Sequence, residues 1–478
     1  MIPRITLLAA VSLLVFSCNK QVEPPAAFGT LPAAAQLAWH EMEMNAFVHF
    51  TTNTFTDKEW GYGDEDPAIF NPTAFDADQW ISTFRDAGFK GVILTCKHHD
   101  GFCLWPSAFT EHSVKNSPFK KDVVKEVSEA CKRHGLKFGI YVSPWDRNHP
   151  QYGSPEYIQY YRNQLDELFT NYGPIFEMWF DGANGGDGFY GGKREARKIN
   201  GATYYDWPTT LDLVRKHNPD VIFFSDAGPG VRWVGNERGT AGETNWNTIT
   251  PDTLFAGKGG IENLLNTGSE NGTRWIPAEV DVSIRPGWFY HAKEDSLVKS
   301  PEKLFQIYLT SVGRGSTLLL NIPPDRRGII HENDVAALKA WRALLDETFK
   351  ANLAEKANVS ASAVRGDAKQ YTATNVSDKS PETYWALNDN ETSGTLEFTF
   401  DKPQLVKYVL LQEYIKLGQR VKSFVIEAKA GDNWNVIGEG TTIGYKRIVK
   451  VKPVETTAVR ITIRDAKACP VISNIELY

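Results

Sequence analysis

From Asn45 to about Phe349 the chain alternates short apolar runs with stretches whose apolar residues recur at helical spacing. NAFVHF (45–50), GVILTC (91–96), LKFGIYVS (136–143), IFEMWFD (175–181), DVIFFSD (220–226), WIPAEVDVSI (275–284) and TLLLNIP (317–323) predict strands. Between them, 75–88, 122–135, 154–172, 205–219, 300–312 and 334–349 predict helices. Ser154-Pro155-Glu156 and Ser300-Pro301-Glu302 place a cap, a first-turn proline and an acidic first turn at two of the helix starts. In 122–135, Val123, Val127, Cys131 and His134 share a face, and Gly135 is the stop. The strands are continuously apolar rather than alternating, as expected when both sheet faces are covered. Strand–helix repetition over this length predicts a (β/α)8-like barrel. A doubly wound sheet is the alternative, but no GxGxxG follows a first strand.

After about residue 352 the helical period disappears. TLEFTF, VKYVLLQEY, SFVIEA, RIVKVKPV and AVRITIR read as strands, with PET, DKP and GDN as turns, and Ser380-Pro381-Glu382 opens no helix. This pattern predicts an all-β sandwich over 352–478. The barrel is assigned 34–351.

The first residues, MIPRITLLAAVSLLVFSCNK, carry one basic residue, an apolar run from Ile5 to Phe16, then Ser17-Cys18. The run is too short to span a bilayer and suits an export signal. A small residue before the first Cys resembles a bacterial lipoprotein signal. That likeness implies a signal over 1–18, acylation of Cys18, a tether over 19–33, and a periplasmic or cell-surface lipoprotein. Ordinary cleavage nearby is the alternative. Of the 5 cysteines, the other four are Cys96, Cys103, Cys131 and Cys469, none in a CxxC, so buried thiols are expected rather than a disulfide framework or a metal site. A net charge of -6 argues against a nucleic-acid partner. The 14 tryptophans are a weak pointer to sugar stacking, since most serve a core equally well.

The predicted strand ends are chemically loaded: His49, Lys97-His98-His99-Asp100, Tyr141, Asp181 and Asp226. In a barrel these ends converge on one mouth. Adjacent His98 and His99 point to different sides, poor geometry for chelating one metal and good geometry for hydrogen bonding to hydroxyls, although one of them can be structural. EMWFDGANG (177–185) ends an apolar strand in a carboxylate. Trp179, Asp181 and Gly182 then supply a pocket wall, a nucleophile and room for substrate, while a cap or loop hydrogen bond accounts for Asp181 equally well. ANGGDGFYGG (183–192) reads as a mobile loop beside the mouth.

His49 in FVHF, KHHDGF (97–102), WFDG (179–182), RPGWF (285–289) and LLLNIPP (318–324) together resemble glycoside hydrolase family 29, the α-L-fucosidases. The likeness implies a retaining exo-glycosidase on an irregular barrel, with Asp181 as nucleophile. RWVGNERG (232–239) resembles the acid/base segment of the branch that cleaves α-1,3/1,4-linked fucose, which implies Glu237 as acid/base, with Glu243 in GETNW the runner-up. The same likeness implies substrate contacts at His49, Glu59, Trp60, His98, His99, Tyr141, Trp179 and Trp288, the last against the C5 methyl of fucose. Trp105 and Arg285 are better read as structural, Asp100 as orienting its neighbours, and Asp226 as holding a loop. No metal and no cofactor are implied. LEFTFDKPQLVKYVLLQEY and VISNIELY resemble a discoidin-like (factor 5/8 type C) module. The expected partner is a fucosylated oligosaccharide. The rivals are a fucosidase with α-1,2 or relaxed preference, a non-catalytic surface glycan-binding protein, and a metal-dependent hydrolase built on His98 and His99, for which further ligands are missing.

Overall fold

The computed structural model describes residues 22–478; the expected signal, Cys18 and positions 19–21 lie outside the described residues. Eight strands close a barrel: β1 (Met44–Val48), β2 (Gly91–Lys97), β3 (Lys137–Val142), β4 (Ile175–Trp179), β5 (Ile222–Ser225), β6 (Val231–Trp233), β7 (Ala278–Ser283) and β8 (Thr317–Asn321). They lie in chain order around the ring, and every pairing is parallel. Helices α1 (Ala34–Met42), α2 (Ala77–Ala87), α3 (Val123–His134), α4 (Pro155–Asn171), α5 (Trp207–His217), α6 (Glu262–Thr267), α7 (Pro301–Thr310) and α8 (Glu332–Thr348) complete the domain. The caps follow the sequence signals: Asp76, Asp122 and Ser300 accept the orphan N–H groups of Gln79, Lys125 and Lys303, and Gly88 and Gly135 close α2 and α3 in the left-handed region. Ser154 takes the N-cap position, but its hydroxyl turns to Glu156 instead.

Strand β6 escapes the sequence pattern. It has 3 residues with Arg232 at its centre, and Arg232 is fully buried, donating to the backbone of Leu265, Ile276 and Trp246. It pairs with β5 only at Phe224–Val231 and Ser225–Arg232. So short a pairing lets DAGPG (226–230) bring the chain back without a helix, which makes the barrel irregular.

The inward positions explain the site. Along β4, Glu177, Trp179 and Asp181 share the inner face because strand side chains alternate. Phe47, Ile93, Tyr141, Trp179, Ile222, Phe224, Val231 and Leu319 fill the barrel interior, and Trp39 of α1 plugs its base. Glu177 and Glu279 meet low in this core. Trp39 Nε1 donates to Glu177 (3.1 Å) and Trp179 Nε1 donates to Glu279 (3.0 Å), while the other oxygen of each carboxyl, Oε1 of Glu177 and Oε2 of Glu279, is buried with no partner among the described residues. Burial drives both pKa values up, and the charge of Glu177 adds to this at Glu279, so the pair holds protons where free carboxyls have lost them. The folded state therefore binds protons that the unfolded chain releases above pH ~4.5. The stabilisation is complete below that pH and is lost as pH rises through the folded value. Thermal melts between pH 5 and 9 should fall on the alkaline side. Glu279→Gln keeps the acceptor for Trp179, removes one of the two titrating carboxyls, and should flatten that fall.

The C-terminal domain is a 7-stranded antiparallel sheet folded over its own core of Trp385, Phe398, Leu411, Ile426, Ile461 and Ile475. Its order is Trp385–Ala386, Val471–Leu477, Gly394–Glu413, Arg447–Ala466, Val421–Ala430, Asn433–Gly440, with Asn358–Ala361 added beside Gly394–Glu413. TLEFTF and VKYVLLQEY are one strand, and so are RIVKVKPV and AVRITIR. DKP is not a turn: the register shift between Thr399 and Gln404 absorbs it as an irregularity.

Two expected loops are structured. The segment read as a tether packs along the C-terminal domain from Val22 onward. Arg365 Nε donates to Glu23 O (2.7 Å), Arg420 Nη2 to Ala26 O (2.6 Å), and Phe28 N to Leu417 O (3.0 Å). Its own carbonyls are what the arginines need, and composition alone does not show that. The Gly-rich segment pairs Gly186–Gly188 with Glu195–Arg197, and Tyr190 is buried against Trp145.

Candidate active site

Asp181 stands at the tip of β4, one inward step above Trp179. Tyr141 O–H donates to its Oδ2 (2.8 Å), and Ala183 N–H donates to its Oδ1 (2.7 Å). Both oxygens are thus fixed while the carboxylate stays partly open. Gly182 is required here by its neighbour: a Cβ would lie 2.2 Å from Asp226 Oδ2. Asp226 itself accepts from Gly257 N (2.7 Å) and so pins the 257 loop, as expected from the sequence. Burial raises its pKa to about 6, opposed by the Gly257 N–H and reinforced by the nearby Asp181 charge.

Three histidines surround this carboxylate, and the hydrogen-bond network assigns tautomers to two of them. Ser143 gives its proton to Trp145 O (2.6 Å), so His99 Nδ1 donates to Ser143 Oγ (2.7 Å). The bare Nε2 of His99 then faces Asp181 Oδ2 at 3.8 Å, an acceptor ready for a ligand hydroxyl. Asn321 uses its amide N–H groups on Ser283 Oγ and Trp288 O, so its Oδ1 accepts from His49 Nδ1 (2.8 Å), leaving Nε2 of His49 bare as well. His98 stacks on Tyr141, and its buried Nδ1 has no partner among the described residues. Burial lowers all three pKa values, to about 3 for His49 and about 4 for His99, so the imidazoles are neutral. Among the described residues no cluster of His, Cys, Asp and Glu is arranged to hold a metal.

The far wall is built by the RPGWF loop. Trp288 Nε1 donates to Glu237 Oε2 (3.3 Å), and its ring lies 5.3 Å from that of His49. Glu59 sits behind this loop: its carboxylate accepts from Trp288 N (2.8 Å), Phe289 N (3.3 Å) and His291 Nε2 (2.6 Å). Glu59 therefore anchors the residue read as the methyl contact, a role its position in KEWG did not reveal. Trp60, 54% exposed, forms the rim, edge-on to His99 and Trp145. Trp179 forms the floor, stacked on Phe224 at 3.9 Å. Glu237 reaches solvent at the rim. Partial desolvation of its carboxyl raises its pKa, the Trp288 N–H opposes this, and the charges of Asp181 and Glu59 add to it.

Other candidates fall outside the pocket. Glu243 is held by Arg314 and by Arg447 of the C-terminal domain (2.9 Å), well committed to an interdomain ion pair. Trp105 is buried with Nε1 on Glu167 (3.0 Å), and Arg285 is buried on Asp334 and Asp295. Asp100 accepts from Thr51 and Thr52 (2.8 Å each), tying the turn after β1 to the turn after β2. Lys97 is buried on Asp146 and Gln164. Cys96, Cys103, Cys131 and Cys469 are buried free thiols.

A pocket of neutral imidazoles and aromatic faces around a strand-tip carboxylate, with a second carboxyl on the rim, defines a barrel glycosidase. Residues 25–347 match the alpha-L-fucosidase family and residues 357–477 the F5/8 type C domain. The chain belongs to the α-L-fucosidases of glycoside hydrolase family 29 and is a glycoside hydrolase with a discoidin-like domain. Alpha-L-fucosidase 1 of Arabidopsis thaliana is 40% identical over 456 residues, 94% of this chain and 87% of its own length. A glycoside hydrolase 29 family member from a rumen bacterium is 45% identical with a TM-score of 0.85, covering 95% of this chain and 78% of the other. A Ruminococcus gnavus family 29 fucosidase, solved in complex with fucose, is 35% identical with a TM-score of 0.85, covering 95% and 96%.

Proposed function

We propose that this α-L-fucosidase is a retaining exo-enzyme that releases α-1,3/1,4-linked L-fucose from branched, Lewis-type glycans. Asp181 is the nucleophile and Glu237 the acid/base. The observation that carries the reading is the carboxyl pair: Asp181 fixed at the β4 tip by Tyr141 and Ala183, and Glu237 at the rim, held by Trp288 and within the field of the Asp181 charge. In a retaining glycosidase one carboxylate attacks the anomeric carbon while the other protonates the departing oxygen, then deprotonates the water that hydrolyses the covalent intermediate. The raised pKa of Glu237 suits the protonated start of that cycle. The bare nitrogens of His49 and His99 accept from fucose hydroxyls, and Trp288 offers an apolar face to the C5 methyl. The fucose complex of the R. gnavus relative supports the choice of sugar. The chain's own linkage preference rests on RWVGNERG. Purified protein offered 2′-fucosyllactose, 3-fucosyllactose and Lewis trisaccharides should release fucose from the last two at least tenfold faster (kcat/KM) than from the first. Equal or faster release from 2′-fucosyllactose would assign the α-1,2 or relaxed alternative.

The leader resembles a lipoprotein signal, and we place the enzyme on the cell surface or in the periplasm of a bacterium, anchored through Cys18. Labelled palmitate incorporated by wild type and not by Cys18→Ala tests this.

A further inference from the structure

The acid/base segment runs directly into the C-terminal domain. Residues 236–240 form a closed turn around Glu237: Asn236 Oδ1 accepts from Arg238 N (3.1 Å), and Asn236 Nδ2 donates to Thr240 O (2.9 Å). The barrel holds the turn's own carbonyls through Thr310 Oγ1 on Gly239 O (2.9 Å) and Asn266 Nδ2 on Thr240 O (3.1 Å), and the chain on its C-terminal side completes the aim of this braced unit. That chain is gripped by two bodies. From the barrel, Ala241 N donates to Thr310 O (2.8 Å), and Arg314 Nη1 donates to Ala241 O (2.7 Å). From the C-terminal domain the grip is on the main chain of alternate residues. Arg447 Nη1 and Thr441 Oγ1 donate to Glu243 O (2.7 and 3.0 Å), Thr442 Oγ1 accepts from Asn245 N (2.8 Å), and Gln419 donates to Asn245 O (3.0 Å) while accepting from Asn247 N (2.8 Å). Gln419, Thr442, Asn245 and Asn247 are all buried. Buried Glu413 in turn fixes the loops that present the grip, accepting from Arg420 N (2.7 Å), Val421 N (2.9 Å) and Gly444 N (2.7 Å).

We infer that the discoidin-like domain is part of the catalytic apparatus: Gln419 and Thr442 are positioning residues that hold the 241–247 segment and so set the aim of the Glu237 carboxyl. The inference rests on Glu237 being the acid/base. Main-chain hydrogen bonds from a second domain are an economical register lock, because they do not depend on the side chains of the held segment. A misplacement of about 1 Å at a proton-transfer group costs about 100-fold.

The test uses the full-length enzyme with Gln419→Met, Thr442→Val and Thr442→Ser, and Glu237→Ala as reference. Each is assayed on a Lewis trisaccharide, whose departing oxygen needs a proton, and on an aryl fucoside with a good phenolate leaving group, which does not. Gln419→Met and Thr442→Val should lose about tenfold or more in kcat/KM on the trisaccharide and less than threefold on the aryl fucoside. The basic limb of the pH–rate profile should move, and Thr442→Ser, which restores the hydroxyl, should recover wild-type ratios. Equal losses on both substrates, or none on either, would overturn the inference. Thr442→Val removes a single hydroxyl and decides the matter if Gln419→Met does not fold. The reference separates the two readings. If Glu237→Ala lacks the leaving-group dependence, the acid assignment fails; if it shows it and the interface variants do not, only the positioning role fails.

Discussion

Asp181→Ala and Asp181→Gly should lose activity by about 10⁴-fold or more while melting at a temperature close to wild type. The carboxylate is partly open, and its partners are Tyr141 O–H and Ala183 N–H, so its removal leaves no charge unpaired in the core. The carboxyl packed beside it cannot replace it: Asp226 is turned onto Gly257 N and packs against Gly182. An external nucleophile can. With an activated aryl α-fucoside, azide should enter the space vacated in Asp181→Gly and attack the anomeric carbon from the face the carboxylate used. The product is β-fucosyl azide, inverted relative to the substrate, and wild type should not form it. Near-normal turnover by Asp181→Ala would remove the nucleophile from this position and with it the account of the β4 tip.

Much of this site was legible before any coordinates because barrel chemistry concentrates at strand ends, and strands that are apolar on both faces are easy to see. His49 and Asp181 each follow an inward aromatic, Phe47 and Trp179, by a step of two, so strand alternation already turned both toward the barrel interior. What stayed hidden depends on long-range partners. Strand β6 carries an arginine at its centre, and no local pattern reveals that the backbone carbonyls of Leu265, Ile276 and Trp246 will accept its protons. Glu59 and Glu237 look alike in the sequence, each a glutamate in a polar segment. Only the fold shows that the first faces the backbone of the RPGWF loop and the second its indole N–H. Gly182 reads as room for substrate and proves to be room for Asp226. The stretch before Ala34 has the composition of a tether, but Arg365 and Arg420, more than 300 residues away, take up its carbonyls. Composition predicts disorder when a segment has nothing to bury; it cannot register a distant donor that lacks an acceptor.

Glu237→Ala should cripple hydrolysis of fucosylated oligosaccharides by about 10²–10⁴-fold, the range a positioned general acid contributes. The loss should shrink on aryl fucosides in proportion to leaving-group acidity, because a phenolate departs unprotonated and only the second step still wants a base. Azide needs no deprotonation, so it should accelerate the mutant by intercepting the fucosyl-enzyme on Asp181. Two inversions then give α-fucosyl azide, the opposite anomer to that from Asp181→Gly. The pH dependence follows from the raised pKa of Glu237. The active form is protonated, so oligosaccharide hydrolysis should persist above the ordinary glutamate range and fall as pH rises through the folded value. Glu237→Gln should erase that basic limb from the residual hydrolysis of the oligosaccharide. Glu243→Ala provides the contrast. It breaks the ion pairs to Arg314 and Arg447 and slackens the segment behind Glu237, so oligosaccharide turnover should drop while the base that activates water remains in place. Azide should therefore give little acceleration and little α-fucosyl azide with Glu243→Ala. Abundant α-fucosyl azide from Glu243→Ala, with none from Glu237→Ala, would transfer the acid/base role to Glu243 and leave the nucleophile at Asp181 untouched.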